Sequence, residues 1–286
     1  MRYLKAKMCK IQMIIDSHQH FWNYDPVRDS WIDESMGSIR KNFLPEDLKT
    51  ILLENKIEGC ISVQADQSEA ETEFLLSCAD KNHFIKGVVG WVDLTADNVE
   101  ARLAHYSSNS LFKGVRHIVQ SEKDDYLLRK DVQNGISKLA KYNLTYDILV
   151  FPKQLPSVLE LVDRFPEQNF ILDHIGKPNI SMPMNETWKA NITTLSKFEN
   201  VSCKISGMVT ETENFSFAGK DFEPFMDHVF NSFGSNRLLF GSDWPVCLLA
   251  TNYKKVFTLI NNYLDLHSAE IKAQVMGINA TKIYNL

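Results

Sequence analysis

The chain is 286 residues long, 44% hydrophobic and 23% charged, which excludes a disordered or collagen-like polypeptide and supplies ample core-forming material. Its 31 basic against 36 acidic residues leave a formal charge of −5, so no positive field is available to hold a phosphate backbone and no nucleic-acid partner is expected. No window reaches the ~18 apolar residues of a membrane span, so no membrane partner is expected either.

Residues 1–12 read as an N-terminal arm in which Lys5, Lys7 and Lys10 interrupt any signal-peptide core. The five cysteines, Cys9, Cys60, Cys78, Cys203 and Cys247, are widely spaced, odd in number and form no C-x-x-C pair. That pattern fits reduced thiols and predicts a cytoplasmic protein.

From residue 13 onward, short β-branched runs alternate with stretches of helical period. Strands are expected at 14–22, 59–65, 85–93, 112–119, 144–150, 170–176, 201–207 and 237–244. Helices follow at 46–56, 69–82, 96–108, 126–143, 153–167, 185–200, 221–234 and 252–264, with a ninth near 268–285. Pro45 with Glu46 and Asp47 opens the first helix, and Thr95 and Asp97 precede the third as caps would. The strand runs are apolar on both faces, as parallel strands covered on both sides must be. Eight such units predict a single-domain α/β protein, a (β/α)8 TIM barrel over 13–286. An open doubly wound sheet is the alternative, but no G-x-G-x-x-G follows the first strand. The longest irregular segment, Asn23 to Leu44, carries Tyr24, Arg28 and Trp31, with Trp22 at its base, and reads as a lid over the barrel mouth.

Barrel enzymes place their chemistry where strands end, and here those ends are polar. His18 and His20, two apart on strand one, present two imidazoles to one face, with Asp16 a layer deeper. Such a pair either ligates a metal or orients the loop. Asp243 in GSDWPV ends strand eight, which closes against strand one, so its carboxylate should lie near those imidazoles; a turn or cap is the competing role. His174 in LDHIGKP is a site residue or a buried structural histidine. Arg116 in KGVRH suits a carbonyl or carboxylate oxygen, or else pairs with Asp93 or Asp147. Gln64, Trp91, Arg116 and Trp244 are the expected substrate contacts, because Trp22, Trp91 and Trp244 offer flat apolar faces on which a sugar ring or lactone can rest. His83, His105, His228 and His267 read as surface residues. No G-x-S-x-G elbow supports a serine nucleophile.

DSHQHFW, KGVRH, LDHIGKP and GSDWPV, spread from residue 16 to 246, resemble the amidohydrolase superfamily, and more narrowly its branch of sugar-lactone hydrolases. The resemblance implies a (β/α)8 barrel with a hydrolytic site at its C-terminal mouth, where His18, His20, His174 and Asp243 match family positions. It implies a small-molecule substrate, a sugar lactone such as an L-fucono- or L-rhamnono-lactone. Tyr146 and Asp147 stand where a ligand histidine would be expected, and no bridging Lys or Glu is evident at strand four. The expected cofactor is therefore at most one divalent ion, Zn²⁺ held by His18, His20 and Asp243, and it is not required. On this reading Asp243 is the general base, with His and Arg side chains polarising the carbonyl. The alternative is a metal-dependent decarboxylase of a small aromatic or unsaturated acid on the same barrel; a non-catalytic binding protein is the third possibility.

Overall fold

A computed structural model describes residues 13–286, and the expected arm at 1–12 lies outside the described residues. Eight parallel strands run in chain order around the sheet: β1 (Ile15–Gln19), β2 (Gly59–Val63), β3 (Ile85–Gly90), β4 (Phe112–Ile118), β5 (Thr145–Leu149), β6 (Phe170–Leu172), β7 (Val201–Ile205) and β8 (Leu238–Phe240). The residues after β8 close the ring onto β1: His20 N donates to Trp244 O (2.7 Å) and Asp243 N to His18 O (2.8 Å). This is the expected (β/α)8 barrel.

The helices α1 (Pro45–Glu54), α2 (Glu69–Lys81), α3 (Val99–Ser107), α4 (Lys130–Leu139), α5 (Leu155–Arg164), α6 (Glu186–Leu195), α7 (Glu223–Phe233) and α8 (Tyr253–Leu264) cover the outside. Their starts are chemically marked. Asp47 accepts from Leu44 N (2.8 Å) behind Pro45, Ser68 caps α2, and Asn185 and Asn252 cap α6 and α8. The expected caps of the third helix behave differently: Asp93 turns the loop by accepting from Thr95 N (2.9 Å), and α3 begins only at Val99. The expected last helix is α9 (Ala269–Ala273) and α10 (Asn279–Ile283), joined by a π-turn over Gln274–Ile278.

That C-terminal segment plugs the barrel floor, where Ala280 and Tyr284 pack with Ile15, Ile61, Val63, Val89, Ile171 and Leu239. Among the described residues this apolar floor closes one end of the barrel, and the mouth lies at the other, reached by the C-terminal ends of the strands. Strands six and eight are shorter than expected for a backbone reason. His174, Ile175, Gly176 and Lys177 all have φ between +50° and +73°, and Asp243 has φ +57°, so both chains leave the extended region at the site.

Candidate active site

The mouth is organised from β1 outward. His18 is fully buried and His20 nearly so, with ring centroids 5.0 Å apart, and the His174 ring lies 4.4 Å from His18. His20 Nδ1 donates to Val63 O (2.8 Å), because a carbonyl can only accept. Its Nε2 faces Asp243 Oδ1 at 3.3 Å, while His18 Nε2 and His174 Nε2 stand 3.7 and 3.9 Å from the same oxygen. Three expected imidazoles, two near the start of the chain and one near its middle, thus converge on one expected carboxylate near its end.

The backbone at two of these positions is held in the left-handed region, His174 at φ +55° and Asp243 at φ +57°. His and Asp are among the residues that tolerate this conformation, and its cost of order 1 kcal/mol persists where surrounding structure over-determines it. Gly207, itself at φ +61°, makes His174 possible, since a Cβ there would lie 2.4 Å from the His174 Nδ1 atom. Gly241 does the same for His18, whose Cβ would be 2.7 Å from an added methyl. His174 Nδ1 is hydrogen-bonded to Ser206 Oγ (2.9 Å).

Beneath the mouth lies a buried ionic layer. Arg116 donates through Nε to Gln64 Oε1 (3.0 Å), through Nη1 to Asp173 Oδ2 (3.1 Å) and through Nη2 to Gln64 O, with Nη1 also 3.2 Å from His18 Nε2. Lys204, wholly buried inside the barrel, reaches Asp147 Oδ2 (2.5 Å), Asp173 Oδ1 (3.0 Å) and His18 Nδ1 (3.2 Å). Tyr284 rises from the floor to donate to Asp147 (2.7 Å). Two cations and two carboxylates balance one another, which is what allows four charges to stay out of water.

The electrostatics follow from burial. Desolvation pushes His18 and His174 well below the ordinary imidazole value, so both are neutral at neutral pH. Burial opposes ionisation of Asp243, but His174 and the hydrogen bond from His20 outweigh it and hold the carboxyl below its usual value. Burial likewise opposes ionisation of Asp173, and Lys204, His18 and Arg116 hold it well below. An ionised carboxylate beside neutral imidazoles can accept a proton and pass it on.

His20, His174, Arg116 and Asp243 open onto a cavity of about 680 Å³. His18 stays behind this wall. The lid expected at 23–44 contributes Trp31 and Met36 to the lining, and its ends are clamped by paired hydrogen bonds between Trp22 and Phe43 (2.9 and 3.0 Å). Tyr24 and Arg28 are tied within the loop, to Asn42 and Arg40 and to Asp29.

Several expectations need correction. Trp244 is not a cavity wall, because it is 1% exposed and packs edge-on to Phe43 and Phe21. Gln64 is fully buried and holds Arg116, and Trp91 turns its Nε1 to His117 (3.3 Å). Arg116 pairs with Asp173, not with Asp93 or Asp147. Asp16 does not sit below the histidines. A register shift in β1 lets it hold Ser242 N (2.9 Å) and the α8 residue Tyr253 (2.8 Å), tying β1 to the β8 end. Asp173 follows β6 directly and Lys204 lies near the end of β7. The usable signal was that a lysine in a strand covered on both faces needs acids on neighbouring strands, which Asp147 and Asp173 supply.

For a metal, the donor chemistry fits. With Nδ1 engaged by Val63 O, His20 Nε2 is the ring nitrogen that faces Asp243 Oδ1 and the one a metal could take. Ligand atoms of His18, His20 and Asp243 all lie within 4.8 Å of one another, an N, N, O set that zinc accepts.

A barrel with H-x-H on its first strand and an aspartate after its eighth, sharing one pocket, is the arrangement of an amidohydrolase. The family model for Amidohydrolase matches residues 15–286, and the chain belongs to that family. It is 36% identical over 95% of its length to the L-fucono-1,5-lactonase of Burkholderia multivorans, covering 96% of that protein. It is 33% identical over 84% of its length to the L-fucono-1,5-lactonase of Burkholderia ambifaria, covering 82% of it. A crystal structure of an amidohydrolase from Burkholderia multivorans with bound zinc superposes with a TM-score of 0.93 at 35% identity, covering 96% of this chain and 99% of that one.

Proposed function

We propose that this protein hydrolyses a sugar lactone, L-fucono-1,5-lactone or a related aldonolactone, to the aldonic acid. The observation that carries the reading is the His20–Asp243 pair at 3.3 Å on the wall of a cavity that also receives Arg116 and His174. Identity of about a third to two L-fucono-1,5-lactonases over most of the chain supports the substrate class.

A lactone is an activated ester, and opening it needs a deprotonated water, a stabilised oxyanion and a protonated leaving oxygen. Asp243 is the general base: it takes a proton from the water that attacks the carbonyl carbon. Arg116 and His174 face the carbonyl oxygen as charge develops on it. The ring C–O bond breaks, and His20, hydrogen-bonded to Asp243, returns the proton to the departing alkoxide. His18 acts from behind, positioned by Asp173, Lys204 and Arg116. A zinc ion held by His18, His20 and Asp243 would lower the pKa of its bound water toward ~7.

The test is a screen of aldonolactones with a pH indicator, run with and without chelator. Acid release from L-fucono-1,5-lactone or a close relative is expected in both arms. Silence across the aldonolactones would remove the assignment.

A further inference from the structure

Beyond the four reacting side chains, the cavity is walled mainly by Trp31, Met36, Phe151, Phe215 and Leu249. Among the described residues, five of the six other polar side chains that line it are engaged within the protein, and Gln120 is not. Lys177 pairs with Glu211 at 2.8 Å, Gln67 Oε1 accepts from Ile118 N (2.7 Å), Ser121 donates to Ile118 O (3.0 Å), and Thr210 to Gly207 O (2.9 Å). A ligand leaving the site therefore meets mostly hydrocarbon, with the Gln120 amide and the Gln67 Nε2 group as the polar contacts left for hydroxyls. Trp31 and Phe151 are 43% and 37% exposed at this rim, an apolar surface left facing water. Phe215 carries a backbone φ of +54°, a costly conformation for an aromatic residue, and its neighbour Asn214 has φ +52°. The cavity, about 680 Å³, is of the size that takes a drug-sized ligand, more than one lactone ring requires.

We infer that the protein has a second substrate class: lactones bearing an apolar substituent, an alkyl chain or aryl group, which lies along the Trp31–Phe151–Phe215 wall while the ring ester reaches Asp243. The inference rests on the lactone-hydrolysing reading of the same site. The chemistry is unchanged. Water adds to the acyl carbon, the ring C–O bond breaks, and the proton ends on the new alcohol, giving a hydroxy acid.

The experiment measures kcat/KM for δ-valerolactone, δ-octalactone and δ-decalactone beside L-fucono-1,5-lactone, on the wild-type protein and on Trp31→Ala and Phe215→Ala. Each added methylene that reaches the wall should raise kcat/KM about fourfold. The ratio of decalactone to valerolactone within each variant should fall at least several-fold, with thermal melts confirming that both variants fold. A flat series in a protein that still hydrolyses the sugar lactone overturns this inference and leaves the sugar-lactone reading standing. A rising series that neither substitution reduces overturns it as well, since the wall would then not be the binding surface. Failure on every lactone removes both.

Discussion

His20 Nε2 and Asp243 Oδ1 face one another at 3.3 Å across the seam where the barrel closes, 223 positions apart in the chain. The Val63 carbonyl engages the other imidazole nitrogen of His20, which leaves Nε2 facing the carboxylate oxygen. In the proposed reaction this pair takes a proton from water and returns it to the leaving oxygen.

Asp243→Asn keeps the shape of the side chain and removes its basicity. Lactone hydrolysis should fall by about 10²–10⁴-fold in kcat, the typical size of a general-base contribution, while circular dichroism and the melting temperature stay close to wild type. Unchanged turnover would exclude Asp243 as the base.

Stability should depend on pH through His18 and His174. Both are held neutral by burial, whereas in the unfolded chain they titrate near 6.5. Below that value the unfolded state binds more protons than the folded one, so stability is complete above it and is lost as pH falls through it. Melting temperatures should decline from about pH 7 downward, and His174→Asn, which tolerates the left-handed backbone, should make the decline shallower. A wild-type melting temperature independent of pH across this window would contradict the neutral assignment.

Lys204→Met leaves Asp147 and Asp173 buried without their shared cation. Urea unfolding should show a loss of about 3–5 kcal/mol, the cost of breaking a buried ion pair from one side. Adding Asp147→Asn should restore part of it, because one of the stranded charges is then gone. If the double variant is no more stable than the single one, the two residues are not coupled as their 2.5 Å contact implies.

Zinc added to metal-stripped protein should raise the melting temperature by about 5 °C at a hundredfold excess over Kd. His20→Ala should abolish most of that shift, with calorimetry reporting the lost affinity directly. A shift of equal size in the variant would place the ion elsewhere.

Much of the site was legible because period-two spacing puts His18 and His20 on one face and because barrel closure brings strand eight to strand one. The polar ends of β4 and β6 likewise pointed to Arg116 and His174. Trp244 and Gln64 misled for a common reason: a residue at a strand end can point inward, outward or sideways. Trp244 follows a left-handed Asp243, which turns the indole into the packing between Phe21 and Phe43. Gln64 is turned inward, where its Oε1 accepts from Arg116 and its Nε2 donates to Asp66 O. The cavity wall was harder still, since Trp31, Phe151 and Phe215 come from three separate loops that share no periodicity.

Local pattern alone determined the barrel, the number of its strands and the convergence of two imidazoles with a distant carboxylate, because the periods of strand and helix and the closure of eight parallel strands are written into apolar spacing. Only the tertiary structure decided which partner each buried charge takes, that Lys204 and Arg116 share Asp173, and that apolar side chains make up most of the cavity wall beyond Asp243. Those outcomes depend on distances of 3–4 Å between side chains from different strands and loops, and no spacing along one strand encodes them.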